Sequence, residues 1–152
     1  GVVEKNTGDG LMAYFDKRVG TLSQQRALAA ALTMFAAADN LLNPVLIRST
    51  IPTISFRICI DHGFVTIAKV GAPQRFNGIV AIGTTANIAS KMLSLAEADT
   101  ILLGSSMLRG IPADWQANYL RLRTTESGWF YRDTGLPYCL WEYIGRWRIP
   151  TL

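Results

Sequence analysis

Histidine is almost missing from this chain: His62 is the only one in 152 residues. A metal centre built from several imidazoles is therefore excluded. Any Ser-His-Asp or Cys-His device would have to use His62, and no nucleophile motif accompanies it. Cysteine is scarce too. Cys59 and Cys139 stand far apart in apolar, strand-like runs, which suits two buried thiols in a reducing compartment rather than a disulfide framework. Basic residues outnumber acidic ones, 15 to 11, yet they form no run, so no nucleic-acid partner is expected. The longest charge-free apolar stretch in the N-terminal half, residues 27–38, is too short and alanine-rich for a bilayer span. With no signal peptide visible either, the expectation is no membrane association and a cytoplasmic location. Walker-type phosphate loops and dinucleotide glycine fingerprints are also lacking.

What the chain has is ordinary globular composition: 49% of residues are hydrophobic and 17% charged, and the length supports one core. A single domain over residues 1–152 is the simplest organisation. The first residues, Gly1-Val2-Val3-Glu4-Lys5, are already in a strand pattern with no Met before them, so a missing N-terminal part is expected.

Residues 2–6 and 11–15 are strand-like runs separated by Thr7-Gly8-Asp9-Gly10. Asp and Gly tolerate the positive φ of tight turns, so a β-hairpin with a carboxylate at its tip is predicted. A helix is predicted from Gln24 to about Asn40, capped by Thr21 or Ser23 and stopped by Asn43-Pro44, with Leu28, Leu32 and Phe35 on its inner face. Residues 54–60 and 65–70 read as strands around Asp61-His62-Gly63, followed by a loop over 71–75 and a short strand at 79–82. A second helix over 85–97 takes Thr84 or Thr85 as its cap. Residues 100–103 read as a buried strand, 105–118 as short helical turns, and 119–143 as antiparallel strands with Gly128 and Gly135 in turns. Trp115, Trp129, Trp141 and Trp147 are taken as core. These elements predict an α+β sandwich, with helices over a mostly antiparallel sheet.

Two constellations carry candidate chemistry. Asp9, between two glycines, offers carboxylate oxygens with open approach, as a hard cation requires; Gly-Asp-Gly is equally a good turn without any function. Asn87 and Lys91 lie four apart and share one face of the second helix, beside an inward face of Ile88, Met92 and Leu95. An amide next to a cation suits a ribose and a phosphate, and it also suits a merely solvated face.

Three blocks in order resemble the class III adenylyl and guanylyl cyclases. Lys5-Asn6-Thr7-Gly8-Asp9-Gly10-Leu11-Met12-Ala13 is similar to the family's Lys-Thr-x-Gly-Asp hairpin. Arg57-Ile58-Cys59-Ile60-Asp61-His62-Gly63, with Val65 and Val70-Gly71, is similar to its Arg-Ile-Gly-Ile-His-Thr-Gly strands. Ile82-Gly83-Thr84-Thr85-Ala86-Asn87-Ile88-Ala89-Ser90-Lys91-Met92 is similar to its Gly-x-Thr-Val-Asn-x-Ala-x-Arg helix. The resemblance covers roughly residues 1–105. It implies a ferredoxin-like or palm-like catalytic domain that closes a nucleoside triphosphate into a 3′,5′-cyclic nucleotide and pyrophosphate, using two Mg²⁺ or Mn²⁺ ions. By the same resemblance Asp9 is a metal ligand whose partner aspartate would lie upstream. Asn87 orients the ribose, and Lys91 stands where the family usually has Arg, against charge on the α-phosphate. Sites of this family form across a homodimer interface.

Lys5 matches a base-recognition position that is Lys in adenylyl and Glu in guanylyl cyclases. Its counterpart, Val80, replaces a residue that is commonly Asp, Thr or Cys, and valine makes no hydrogen bond. That departure favours a pyrimidine substrate, as in the bacterial cyclases of the Pycsar type that make cyclic UMP or cyclic CMP as an antiphage signal. An adenylate cyclase, or a relative that binds nucleotide without catalysis, are the alternatives.

Overall fold

The computed structural model describes residues 1–6, 9–16, 22–71, 77–123 and 127–147. Strands β1 (Val2–Asn6) and β2 (Leu11–Tyr14) pair antiparallel, as the Asp-Gly turn chemistry between them predicts. Thr7 and Gly8 of the turn lie outside the described residues.

Helix α1 (Ser23–Ala37) buries Ala27, Leu28, Ala31, Leu32 and Phe35, the face expected from helical spacing. Its N-cap is Leu22, which makes no side-chain capping bond, so the predicted Ser23 cap is not used and Thr21 lies outside the described residues. The predicted stop at Asn43-Pro44 is also not observed. A π-helical turn, Ala38–Leu42, leads into helix α2 (Asn43–Arg48), where the proline occupies the first turn. Proline lacks the N–H that an α-helix interior needs and its ring crowds the preceding turn. The π turn places it where that donor has no intrahelical partner to lose. Ser23–Arg48 thus forms one helical run of 26 residues, containing an 18-residue stretch of mean hydropathy 1.4, long and apolar enough by length and composition to cross a membrane. The stretch 27–38, read as too short, is part of this longer run, and its inner face is packed in the core.

Strand β3 (Ile58–Ile60) is shorter than predicted, and β4 (Thr66–Gly71) does not pair with it. Instead β3 runs parallel to β6 (Ile101–Gly104), while β4 pairs antiparallel with β5 (Asn77–Ile82). Helix α3 (Thr84–Met92) follows β5 directly and ends before the predicted Glu97. After β6 come a 3₁₀ turn, Ser105–Gly110, the short helix α4 (Ala113–Gln116), and strands β7 (Leu120–Leu122) and β8 (Leu140–Tyr143). The main sheet has the order β3-β6-β8-β7, with β6-β8 and β8-β7 antiparallel.

All four residues of β6 are buried, and they divide between two sides. Ile101 and Leu103 pack on α1 with Met107, Ile111 and Tyr143. Leu102 points the other way, to Met92, Ala96, Tyr138 and Leu140. A strand covered on both faces loses the polar alternation of a half-exposed one. The architecture is α+β, three layers deep, with α1 and α3 on opposite sides of an antiparallel-rich sheet. Trp115, Trp129 and Trp141 pack against these cores, whereas Trp147 is 40% exposed.

Candidate active site

Asp9 sits exposed at the bend joining β1 and β2. It lies beyond the last paired residues of the ladder, Asn6 and Leu11, and makes no hydrogen bond or ion pair with the described residues. A solvent-facing, uncommitted carboxylate fits one oxygen ligand of a Mg²⁺ or Mn²⁺ ion. No group of three or more metal-ligating side chains occurs among the described residues. The β1 backbone places Lys5 on the same hairpin, while its side chain lies outside the described atoms.

Asn87 and Lys91 project from α3 on its exposed side, and Met92 on the opposite side is fully buried. This is the division that the sequence spacing predicts. The helix start differs: Gly83 is the N-cap, with no side-chain cap from Thr84 or Thr85. Gly83 has φ of +147°, and a Cβ there would approach the Phe64 carbonyl oxygen to 3.2 Å. The positive φ favours glycine there, and the space beside it is tight. The backbone N–H of Asn87 donates to the Gly83 carbonyl at 3.1 Å and closes the first turn. Val80 lies half-buried on β5, three residues before Gly83. Since β1 packs against β5 and α3 follows β5, one side of the molecule gathers the strands of Lys5 and Val80 and the helix of Asn87 and Lys91. Within one chain no described hydrogen bond or ion pair links Asp9 to Asn87 or Lys91.

Sequence reading missed a clamp beside this region. Asp61 was assigned to a turn, but its Oδ1 accepts hydrogen bonds from Ser106 Oγ at 2.9 Å and from the Tyr138 hydroxyl at 2.5 Å. Gly104 makes room for it, since a Cβ there would lie 2.3 Å from both oxygens. Burial pushes the Tyr138 phenol above its ordinary range, and the bond to Asp61 adds to the shift. The clamp anchors the loop after β3. In that loop a Cβ on Gly63 would meet Thr85 Oγ1 at 2.4 Å, so the loop is pressed against the start of α3. His62 is exposed in the same loop, as expected of a turn residue. The partners of Asp61 are 45 and 77 residues away, beyond any local signal.

Both cysteines are free, and both are half-buried rather than buried as expected. Burial pushes the Cys59 thiol up to about 12, despite the nearby Arg57 charge.

No family model and no curated protein matches this chain. Solved structures do. The adenylyl cyclase CyaB from P. aeruginosa superposes with a TM-score of 0.72 at 21% identity, over 97% of this chain and 73% of that one. The chain has the nucleotide cyclase catalytic fold. The guanylyl cyclase Cya2 gives a TM-score of 0.71 at 20% identity, over 95% and 70% of the two chains. The guanylate cyclase domain of RhGC from Catenaria anguillulae, in complex with GTP, gives 0.68 at 18%, over 95% and 72%. The likeness spans nearly all of this chain, including the region after residue 105 that sequence resemblance did not reach.

Proposed function

We propose that this chain is a nucleotide cyclase catalytic domain, forming a 3′,5′-cyclic nucleotide and pyrophosphate from a nucleoside triphosphate. The observation that carries the reading is the exposed Asn87-Lys91 face of α3 following a strand packed on the Asp9 hairpin, within a cyclase fold. Asp9 would hold Mg²⁺ or Mn²⁺ together with phosphate oxygens. When bound, such ions acidify the attacking 3′-hydroxyl and neutralise the leaving pyrophosphate. Asn87 orients the ribose by hydrogen bonds. Lys91 places a positive charge beside the α-phosphate, where charge builds as the new bond forms. Lysine acts there as a point charge, without the paired donors of arginine.

A homodimer brings Asp9 of one copy to Asn87 and Lys91 of the other. Phe64, Ile67, Val70, Ile79 and Ile82, all exposed on the β4-β5 arm and the loop leading to it, support such an association. Val80 supports a pyrimidine substrate, with cyclic UMP or cyclic CMP as the product and antiviral signalling as its use. Lys5, at a position that is Lys in adenylyl cyclases, supports ATP as the second reading. A cytoplasmic location belongs to the same proposal.

The test is incubation of the protein with each of the four ribonucleoside triphosphates and Mn²⁺, with chromatographic detection of cyclic product. A metal-dependent cyclic pyrimidine nucleotide is expected, and the Asp9→Ala variant should lose about 100-fold or more of the rate while remaining folded. No cyclic product from any of the four would sink the assignment.

A further inference from the structure

We infer that Glu4 selects the base, by accepting a hydrogen bond from an exocyclic amino group and so favouring cytosine over uracil. The inference rests on the nucleotide-binding reading above and adds a residue that the sequence motifs do not mark.

Three observations converge on Glu4. The ladder between β1 and β2 pairs Val3 with Ala13 and Lys5 with Met12, which leaves Glu4 as the extra residue of a β-bulge. Such bulges re-aim a side chain and are common beside active sites. Next, Glu4 Oε2 is shielded from solvent and has no hydrogen-bond partner, the single such side-chain atom among the described residues. A buried carboxylate oxygen left unpaired is costly, so its retention points to a donor that arrives from outside the chain. Finally, β1 packs against β5, the strand of Val80. Val80 can neither donate nor accept through its side chain, and the neighbouring strand supplies an acceptor instead.

A carboxylate only accepts. The cytosine edge presents its N4 amino group as a donor, and Glu accepting from that group is an established pairing geometry for bases. Uracil places a carbonyl oxygen at the same position, which a carboxylate oxygen repels. Glutamine has nearly the same shape but can turn either a carbonyl acceptor or an N–H donor to the base, so Glu4→Gln removes the acceptor-only character that would tell cytosine from uracil.

The experiment measures binding of the four 3′-deoxynucleoside triphosphates, which lack the attacking hydroxyl, to wild type and Glu4→Gln in Mn²⁺. Circular dichroism of both proteins checks that the fold is kept. Wild type should bind 3′-deoxy-CTP about 10-fold or more tightly than 3′-deoxy-UTP, and Glu4→Gln should abolish or invert that ratio. An unchanged ratio, or equal weakening of all four ligands, overturns the inference. Retained base preference without cyclic product in the turnover assay would overturn the cyclase reading and leave Glu4 in place. Cyclic product with unaltered selectivity in Glu4→Gln would do the reverse. If no 3′-deoxynucleotide binds, both fall.

Discussion

Lys91 is exposed in the last turn of α3, where a cation also suits the negative end of the helix. Its catalytic and structural roles can be separated. In the proposed site Lys91→Gln lowers kcat about 100-fold with KM little changed, because the charge matters most when the α-phosphate charge is greatest. Lys91→Arg keeps the activity. A merely structural lysine would show no such split in steady-state kinetics and no rescue by arginine. Gly104 makes a different prediction. Its Cβ would fall 2.3 Å from Asp61 Oδ1 and the Tyr138 hydroxyl oxygen, so Gly104→Ala must push the clamp apart. A loss of about 1–3 kcal/mol in urea unfolding is expected, together with weaker nucleotide binding as the Gly63 loop shifts against α3. An alanine variant as stable as wild type would show that the clamp yields freely.

The helical run from Ser23 to Arg48 divides into two halves with different environments. Its first half is the wall of the main core, and Leu28 is fully buried there. Beyond the π turn, Ile47 is 64% exposed. Leu28→Ala should therefore cost about 2–5 kcal/mol in denaturant unfolding, while Ile47→Ala should stay within about 0.5 kcal/mol. The inner face of α1 was legible because three apolar residues recur at helical spacing. Its continuation past Pro44 was not, because proline marks a boundary only on average and a π turn leaves no sequence signature. The same limit applies to β3. Its apolar run predicts a strand, but the partner it chooses, β6, lies some forty residues on, and strand pairing is decided by packing on both faces rather than by local propensity.

For the molecule as a whole, the half-buried Cys59 thiol and the buried Tyr138 phenol tie stability to alkaline pH. Both groups have native pKa values raised above their ordinary 9.0 and 10.0, so the native state holds these protons more tightly than the unfolded chain. Their contribution is complete below about pH 9 and is lost as pH rises through the native values. The urea midpoint should be unaffected by these two groups near neutrality and should fall above about pH 9. Cys59→Ala and Tyr138→Phe should each flatten that alkaline limb. A limb unchanged in both variants would place the titrating groups elsewhere.

Local order in the sequence was enough for the β1-β2 hairpin with Asp9 at its bend, the inward face of α1, and the opposed faces of α3 that set Asn87 and Lys91 apart from Met92. These depend on residues within a few positions of each other, where periodicity and turn chemistry act directly. Other features needed the folded chain: the parallel pairing of β3 with β6, the clamp from Asp61 to Ser106 and Tyr138, and the unpartnered oxygen of Glu4 on its bulge. Each depends on which distant groups are brought together or kept apart, and that is fixed by burial of the shared core, not by the residues flanking any one of them.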